Sequence, residues 1–144
     1  GEILELPAEE LELGYRTSVI KKAGYIVLEA KIRLKEGDQE AIRERMKELT
    51  IQRTTKQPLE YPSAGSTFKR PEGYFAGKLV MDSGLRGYQV GGARISEKHC
   101  GFVINAGDAT AKDVRTLMDN VRDIVYEKYG VTLEPEVKFL GEFD

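Results

Sequence analysis

Polar and apolar residues alternate most clearly between positions 26 and 34. Ile26, Leu28, Ala30, Ile32 and Leu34 interleave with Val27, Glu29, Lys31 and Arg33, the period of a half-buried strand. Upstream, Ile3 to Leu6 reads as one arm of a hairpin, Pro7 to Leu11 as a turn, and Gly14 to Ser18 as a polar loop. Lys35-Glu36-Gly37 ends the strand pattern, and Asp38 is the expected cap for a helix reaching about Arg53. Ile42, Met46 and Leu49 supply its apolar positions. Thr54 to Arg70, with Pro58, Pro62 and Gly65, reads as a long loop. Pro71 to Ser83 fits a short helix packing Phe75, Leu79 and Val80, stopped at Gly84. Gly87, Gly91 and Gly92 punctuate a bent strand, and Gly101 to Asn105 is a short apolar one.

The clearest helix follows. Thr110 and Asp113 have capping-box spacing, Val114, Leu117, Met118, Val121, Ile124 and Val125 form one stripe, and Gly130 closes it. Leu133, Val137 and Phe139 then alternate with Glu134, Glu136 and Lys138 in a last strand. Pro135 cannot donate to a ladder, so that strand belongs at an edge or a bulge. The irregular order of helices and strands argues for an α+β fold rather than a βαβ array.

Composition narrows the chemistry. At 144 residues the chain has the size of one domain and can bury a core without a metal or disulfide. Cys100 and His99 are single, which excludes an internal disulfide framework and a multi-histidine metal site. No apolar run reaches the roughly 18–20 residues of a membrane-spanning helix. The net charge of −2 gives no reason to expect a nucleic acid. These features lead us to expect a cytoplasmic protein in a reducing compartment, with no metal, nucleic-acid or membrane partner. The start at Gly1, running straight into an apolar stretch, leads us to expect a longer parent protein.

Several groups are candidates for chemistry. Tyr61 to Arg70 packs small residues around Gly65 and ends in two cations, suiting either close approach of a ligand or a solvated turn. Arg53, Lys56, Lys69, Arg70 and Arg86 flank loops and suit phosphates, or are ordinary surface charge. Arg16, beside Tyr15, is either a carboxylate clamp or a solvated loop residue. Glu136 is either functional or an exposed strand glutamate. His99 and Cys100 are neighbours on a strand, so they point apart and form a poor catalytic pair. Gly91 to Ala93 lacks the strand, turn and helix context of a dinucleotide fingerprint.

In order along the chain, GYRTS from Gly14, RTTKQP from Arg53, PSAGSTFKRP from Pro62, AGKLV from Ala76, GLRGYQVGGARIS from Gly84, HCGFVIN from His99 and LEPEVKFLGE from Leu133 resemble one family. It is the UDP-N-acetylenolpyruvoylglucosamine reductases (MurB), flavoenzymes of peptidoglycan synthesis, in their shorter type. The resemblance implies that residues 1–35 are the last part of an FAD-binding domain and residues 36–144 a substrate-binding C-terminal domain. It implies FAD as cofactor and NADPH as co-substrate. The substrate would be UDP-N-acetylglucosamine enolpyruvate, reduced to UDP-N-acetylmuramate. Most of the FAD site would lie in an N-terminal lobe outside this sequence, so the chain alone would be inactive.

The resemblance also assigns roles. Arg16 matches the arginine at the substrate carboxylate, close to the flavin. Glu136 matches the glutamate at the same carboxylate, where a protonated acid helps most. Ser66 matches the proton donor. Lys56 matches the lysine near that serine. Arg86 and His99 match positions at the UDP-sugar diphosphate, and Tyr15 lies beside the substrate arginine. Without its partner lobe, the surface around Ile3, Leu4, Ile26 and Leu28 is expected to be apolar and open to self-association. The alternative is a stand-alone UDP-sugar-binding or regulatory module without redox activity. A third reading is a small nucleic-acid-binding domain using the basic loops.

Overall fold

A computed structural model describes residues 1–141, and Glu142, the last residue of the LEPEVKFLGE motif, lies outside them. The chain divides into two compact units, Gly1–Asp38 and Gln39–Asp144.

The first unit has a single 3-10 turn at Ala8–Leu11 and one short helix, α1 (Val19–Ala23). Gly24, left-handed at φ 68°, closes α1 and returns its N–H to the Ile20 carbonyl. Neither expected strand is present: residues 1–7 and 25–38 carry no strand pairing. Ile26, Leu28, Ile32 and Leu34 are 74–86% exposed. The alternation is real, but a strand is defined by its neighbour, and among the described residues none pairs with this one.

The second unit is built on the longest amphipathic stripe. Helix α4 (Ala111–Tyr129) starts on a complete Thr110/Asp113 capping box and ends at left-handed Gly130. Its Leu117, Met118, Val121 and Val125 are buried, with Val114 and Ile124 packed at the margin, as the periodicity requires. They lie against a four-stranded antiparallel sheet ordered β1-β4-β3-β2, formed by β1 (Ser63–Ser66), β2 (Gln89–Val90), β3 (Ala93–Ile95) and β4 (Phe102–Asn105). Ala93, Ile95 and Val103 join the α4 core. Arg94, Phe102 and Ile104 alternate with them, so they belong to the opposite face.

Four expectations change. The bent glycine strand is a hairpin, β2 and β3, whose two-residue turn is Gly91-Gly92. A Cβ on Gly92 would run into the Gly107 carbonyl and the Ala109 amide, so the turn is locked against the start of α4. The long loop contains an edge strand, β1. The helix expected over Pro71–Ser83 is shorter, α3 (Ala76–Asp82), and Phe75 stays out of the core, 60% exposed under the Arg70 guanidinium. The final strand shrinks to one bridge, Phe68 to Pro135, because proline offers no N–H to extend it.

Helix α2 (Gln39–Lys56) forms where expected and runs three residues further. Its Ile42, Met46 and Leu49 are nevertheless 47–63% exposed, so the apolar stripe has no core to face among the described residues.

Candidate functional site

Ser66 ends the edge strand β1 at a bulge. Ser63 registers with Ile104 and Ser66 with Phe102, so two residues, Ala64 and Gly65, oppose Val103 alone. Gly65 takes φ 85°, a conformation that disfavours any side chain, and its N–H reaches the Ser63 hydroxyl at 3.4 Å. Such a bulge re-aims the residue that follows it, and Ser66 is exposed.

Thr67, next in the chain, is the fixed point of the region. It is 2% exposed. Its hydroxyl accepts the Val103 N–H at 2.9 Å, and its own N–H donates to the Gly101 carbonyl at 2.8 Å. Its carbonyl accepts the Glu136 N–H at 2.9 Å. Beyond the Phe68–Pro135 bridge, the Lys69 N–H bonds the Glu134 carbonyl at 2.8 Å, and their side chains form an ion pair. Ser66 and Glu136, distant in sequence, therefore sit on adjoining backbone segments. Glu136 is half-buried with Oε2 sealed from solvent. Sequence reasoning passed over Thr67, whose only signal was its place between the two candidates' segments.

A second group forms around the turn between β3 and β4. Arg86 donates to the Glu97 carbonyl, and its other Nη lies 3.2 Å from the Met81 sulfur. Lys98 donates to the Thr54 carbonyl at 2.8 Å and reaches Glu60 at 3.4 Å, tying the last turn of α2, where Lys56 sits, to this same turn. His99 is exposed and stands edge-on to Phe102, ring centroids 4.9 Å apart. Its Nδ1 accepts the Gly101 N–H at 3.0 Å, so the ring carries its proton on Nε2, where it can donate to an oxyanion. Cys100 points the other way, into the core. Burial pushes its thiol pKa up, against the pull of the Arg86 charge, so it is not a poised nucleophile.

Tyr15 and Arg16 lie in the first unit, at the tip of a tight turn closed by the Gly14 N–H to Thr17 carbonyl bond at 3.1 Å and its 3.3 Å reciprocal. Arg16 is left-handed at φ 58°, and its guanidinium lies 5.6 Å from the Tyr15 ring. A long side chain in that conformation costs about 1–2 kcal/mol, the kind of strain that gathers at functional sites. Among the described residues there is no group of three or more potential metal ligands, and no helix long and apolar enough to cross a membrane.

Comparison with known proteins gives one consistent result. The family model "UDP-N-acetylenolpyruvoylglucosamine reductase, C-terminal domain" matches residues 57–140. A protein of that name from Lachnoclostridium phytofermentans is 68% identical over 142 residues, covering 99% of this chain and 46% of the relative. One from Agathobacter rectalis is 59% identical over 143 residues with the same coverage. The crystal structure of the reductase from Thermus caldophilus matches with a TM-score of 0.73 and 41% identity, covering 89% of this chain and 46% of that one. The chain thus spans about half the length of the curated relatives it matches.

Proposed function

Since this chain belongs to the UDP-N-acetylenolpyruvoylglucosamine reductase family, we propose that it forms the substrate-binding half of such an enzyme, with Ser66, Glu136 and Arg16 acting on the enolpyruvyl group of a UDP-sugar. The observation that carries this reading is the convergence of Ser66 and Glu136 on Thr67.

The reaction reduces the enolpyruvyl double bond. Hydride addition at one carbon leaves negative charge on the next, spread into its carboxylate. Arg16 suits that carboxylate because its fork is planar and its charge permanent. Glu136 takes the role of second partner to that carboxylate in this reading. Ser66 then delivers a proton to the carbanionic carbon, which is far more basic than a serine alkoxide, so a hydroxyl suffices as the acid. Lys56 lowers the cost of the transient alkoxide. Arg86 and the Nε2–H of His99 take the diphosphate, and Tyr15 lines the substrate side of Arg16.

The hydride source in this reading is FAD, reduced in turn by NADPH, and the described residues do not fit a flavin phosphate site. The one adjacent glycine pair, Gly91-Gly92, is a closed hairpin turn packed on Gly107 and Ala109, and the Asp113 carboxylate already takes the Gly92 N–H and would repel a phosphate there. No step assigned here passes through the flavin. Residues 1–35 complete the flavin domain of an intact enzyme, residues 36–144 form the substrate domain, and the chain alone does not turn over. Its place is the cytoplasm, where peptidoglycan precursors are built.

Titrating the chain with UDP-N-acetylglucosamine enolpyruvate tests this. We expect saturable shifts of the Ser66, Thr67 and Glu136 backbone amides. Saturable binding that leaves all three unmoved would refute the site.

A further inference from the structure

Arg94 was not among the residues expected to act, and its surroundings are unusual. It lies on β3 with Ala93 and Ile95 turned into the α4 core on either side, so its own side chain belongs to the opposite sheet face. The residue is half-buried, its Nε is sealed from solvent, and that N–H has no hydrogen-bond partner among the described residues. A buried guanidinium N–H without an acceptor is costly and uncommon in folded proteins. The guanidinium lies 5.9 Å from the Tyr61 ring, so the side chain leans from β3 over β4 toward the residues that enter β1.

The register shows what it crosses. Ile104 on β4 pairs with Arg94 on one side and with Ser63 on the other, so the three form one row across the sheet. Ile104 is 2% exposed beneath this row. The Ser63 oxygen accepts a hydrogen bond from the Gly65 N–H, which leaves its proton free to donate outward. A guanidinium fork with an unfilled edge, a hydroxyl donor across one strand and an aromatic wall make a site for a tetrahedral oxyanion. A carboxylate has two oxygens, which the fork alone would fill. A phosphate has further oxygens for the serine.

We propose that Arg94, laid over Ile104 toward Tyr61 and Ser63, binds a phosphate of a diphosphate ligand. The ligand's identity rests on the UDP-sugar reading above, whereas the anion site itself does not.

The test uses the 144-residue chain, with the arginine Nε–H resonances followed by nuclear magnetic resonance. Pyrophosphate and UDP should each shift the Arg94 Nε–H resonance saturably, and acetate, which leaves the Ser63 hydroxyl unused, should do so only at much higher concentration at equal ionic strength. Arg94→Gln should weaken pyrophosphate at least tenfold while the α4 amides stay in place. Pyrophosphate binding that leaves this resonance still and is unchanged in Arg94→Gln would overturn the proposal, as would the absence of saturable pyrophosphate binding. Equal competition by acetate would overturn the phosphate assignment. If the enolpyruvyl UDP-sugar binds Arg94→Gln as tightly as the parent chain, Arg94 fails and the substrate reading stands. If the sugar does not bind the parent chain while pyrophosphate still shifts the Arg94 resonance, the substrate reading fails and the anion site stands.

Discussion

Ser66 owes its position to its neighbour. A Cβ on Gly65 would meet nothing within 4 Å, so the glycine is there for its φ of 85° and not for space. Gly65→Ala should therefore cost only the left-handed penalty, about 1–2 kcal/mol, measurable by urea unfolding. Its effect on turnover in an intact enzyme should be larger, about 100-fold, because a displacement near 1 Å at the reacting atom is that expensive. A fall in turnover no greater than the loss of stability explains would contradict the bulge's role. Residue identities in the candidate site were legible in the sequence, but only through family resemblance. Nothing in the spacing of Ser66 and Glu136 groups them, because their proximity runs through the Thr67 carbonyl, a backbone contact that no side-chain pattern encodes. Arg94 was illegible for another reason. Its significance is an unfilled N–H, visible only once burial is known.

Among the elements, local signals succeeded where the partner was local. The Thr110/Asp113 box, the α4 stripe and the Gly130 stop all appear as the pattern requires. Thr110→Ala should destabilise the second unit by about 1 kcal/mol in chemical denaturation. Asp113 also links α4 to the hairpin. The Thr110 N–H first, then the Thr110 hydroxyl and the Gly92 N–H, hold its carboxyl below the ordinary aspartate value of 3.8. The folded state thus prefers the charged form, so this stabilisation is complete above that ordinary value and is lost as pH falls through the lower folded one. The difference in stability between the parent and Asp113→Asn should shrink with acidification over that window, and a difference that stays constant would count against the linkage. Elements that depend on distant partners read poorly. The 26–34 alternation finds no strand beside it, and β1 hid in a serine-rich segment because its pairing lies with β4, far along the chain. Exposed Ile26, Leu28, Ile32 and Leu34 should make the chain self-associate with rising concentration, which sedimentation velocity would detect.

At the scale of the whole molecule, the fold class followed from the order of elements, while the division of labour did not. A chain of 144 residues has the length of a single domain, yet it splits into two units and spans 46% of its relatives. In the proposed division, substrate chemistry falls to these residues, and most of the flavin site falls to residues outside this sequence. The purified chain should accordingly lack flavin absorbance, and stoichiometric FAD with NADPH oxidation would refute that division. The most direct test of the central claim is to separate the two half-reactions in an intact enzyme carrying this sequence with Ser66→Ala. Flavin reduction by NADPH should proceed at the parent rate, while reoxidation by the enolpyruvyl UDP-sugar slows by about 100-fold or more, the scale of a lost general acid. Equal slowing of both half-reactions, or reoxidation at the parent rate, would show that Ser66 is not the proton donor.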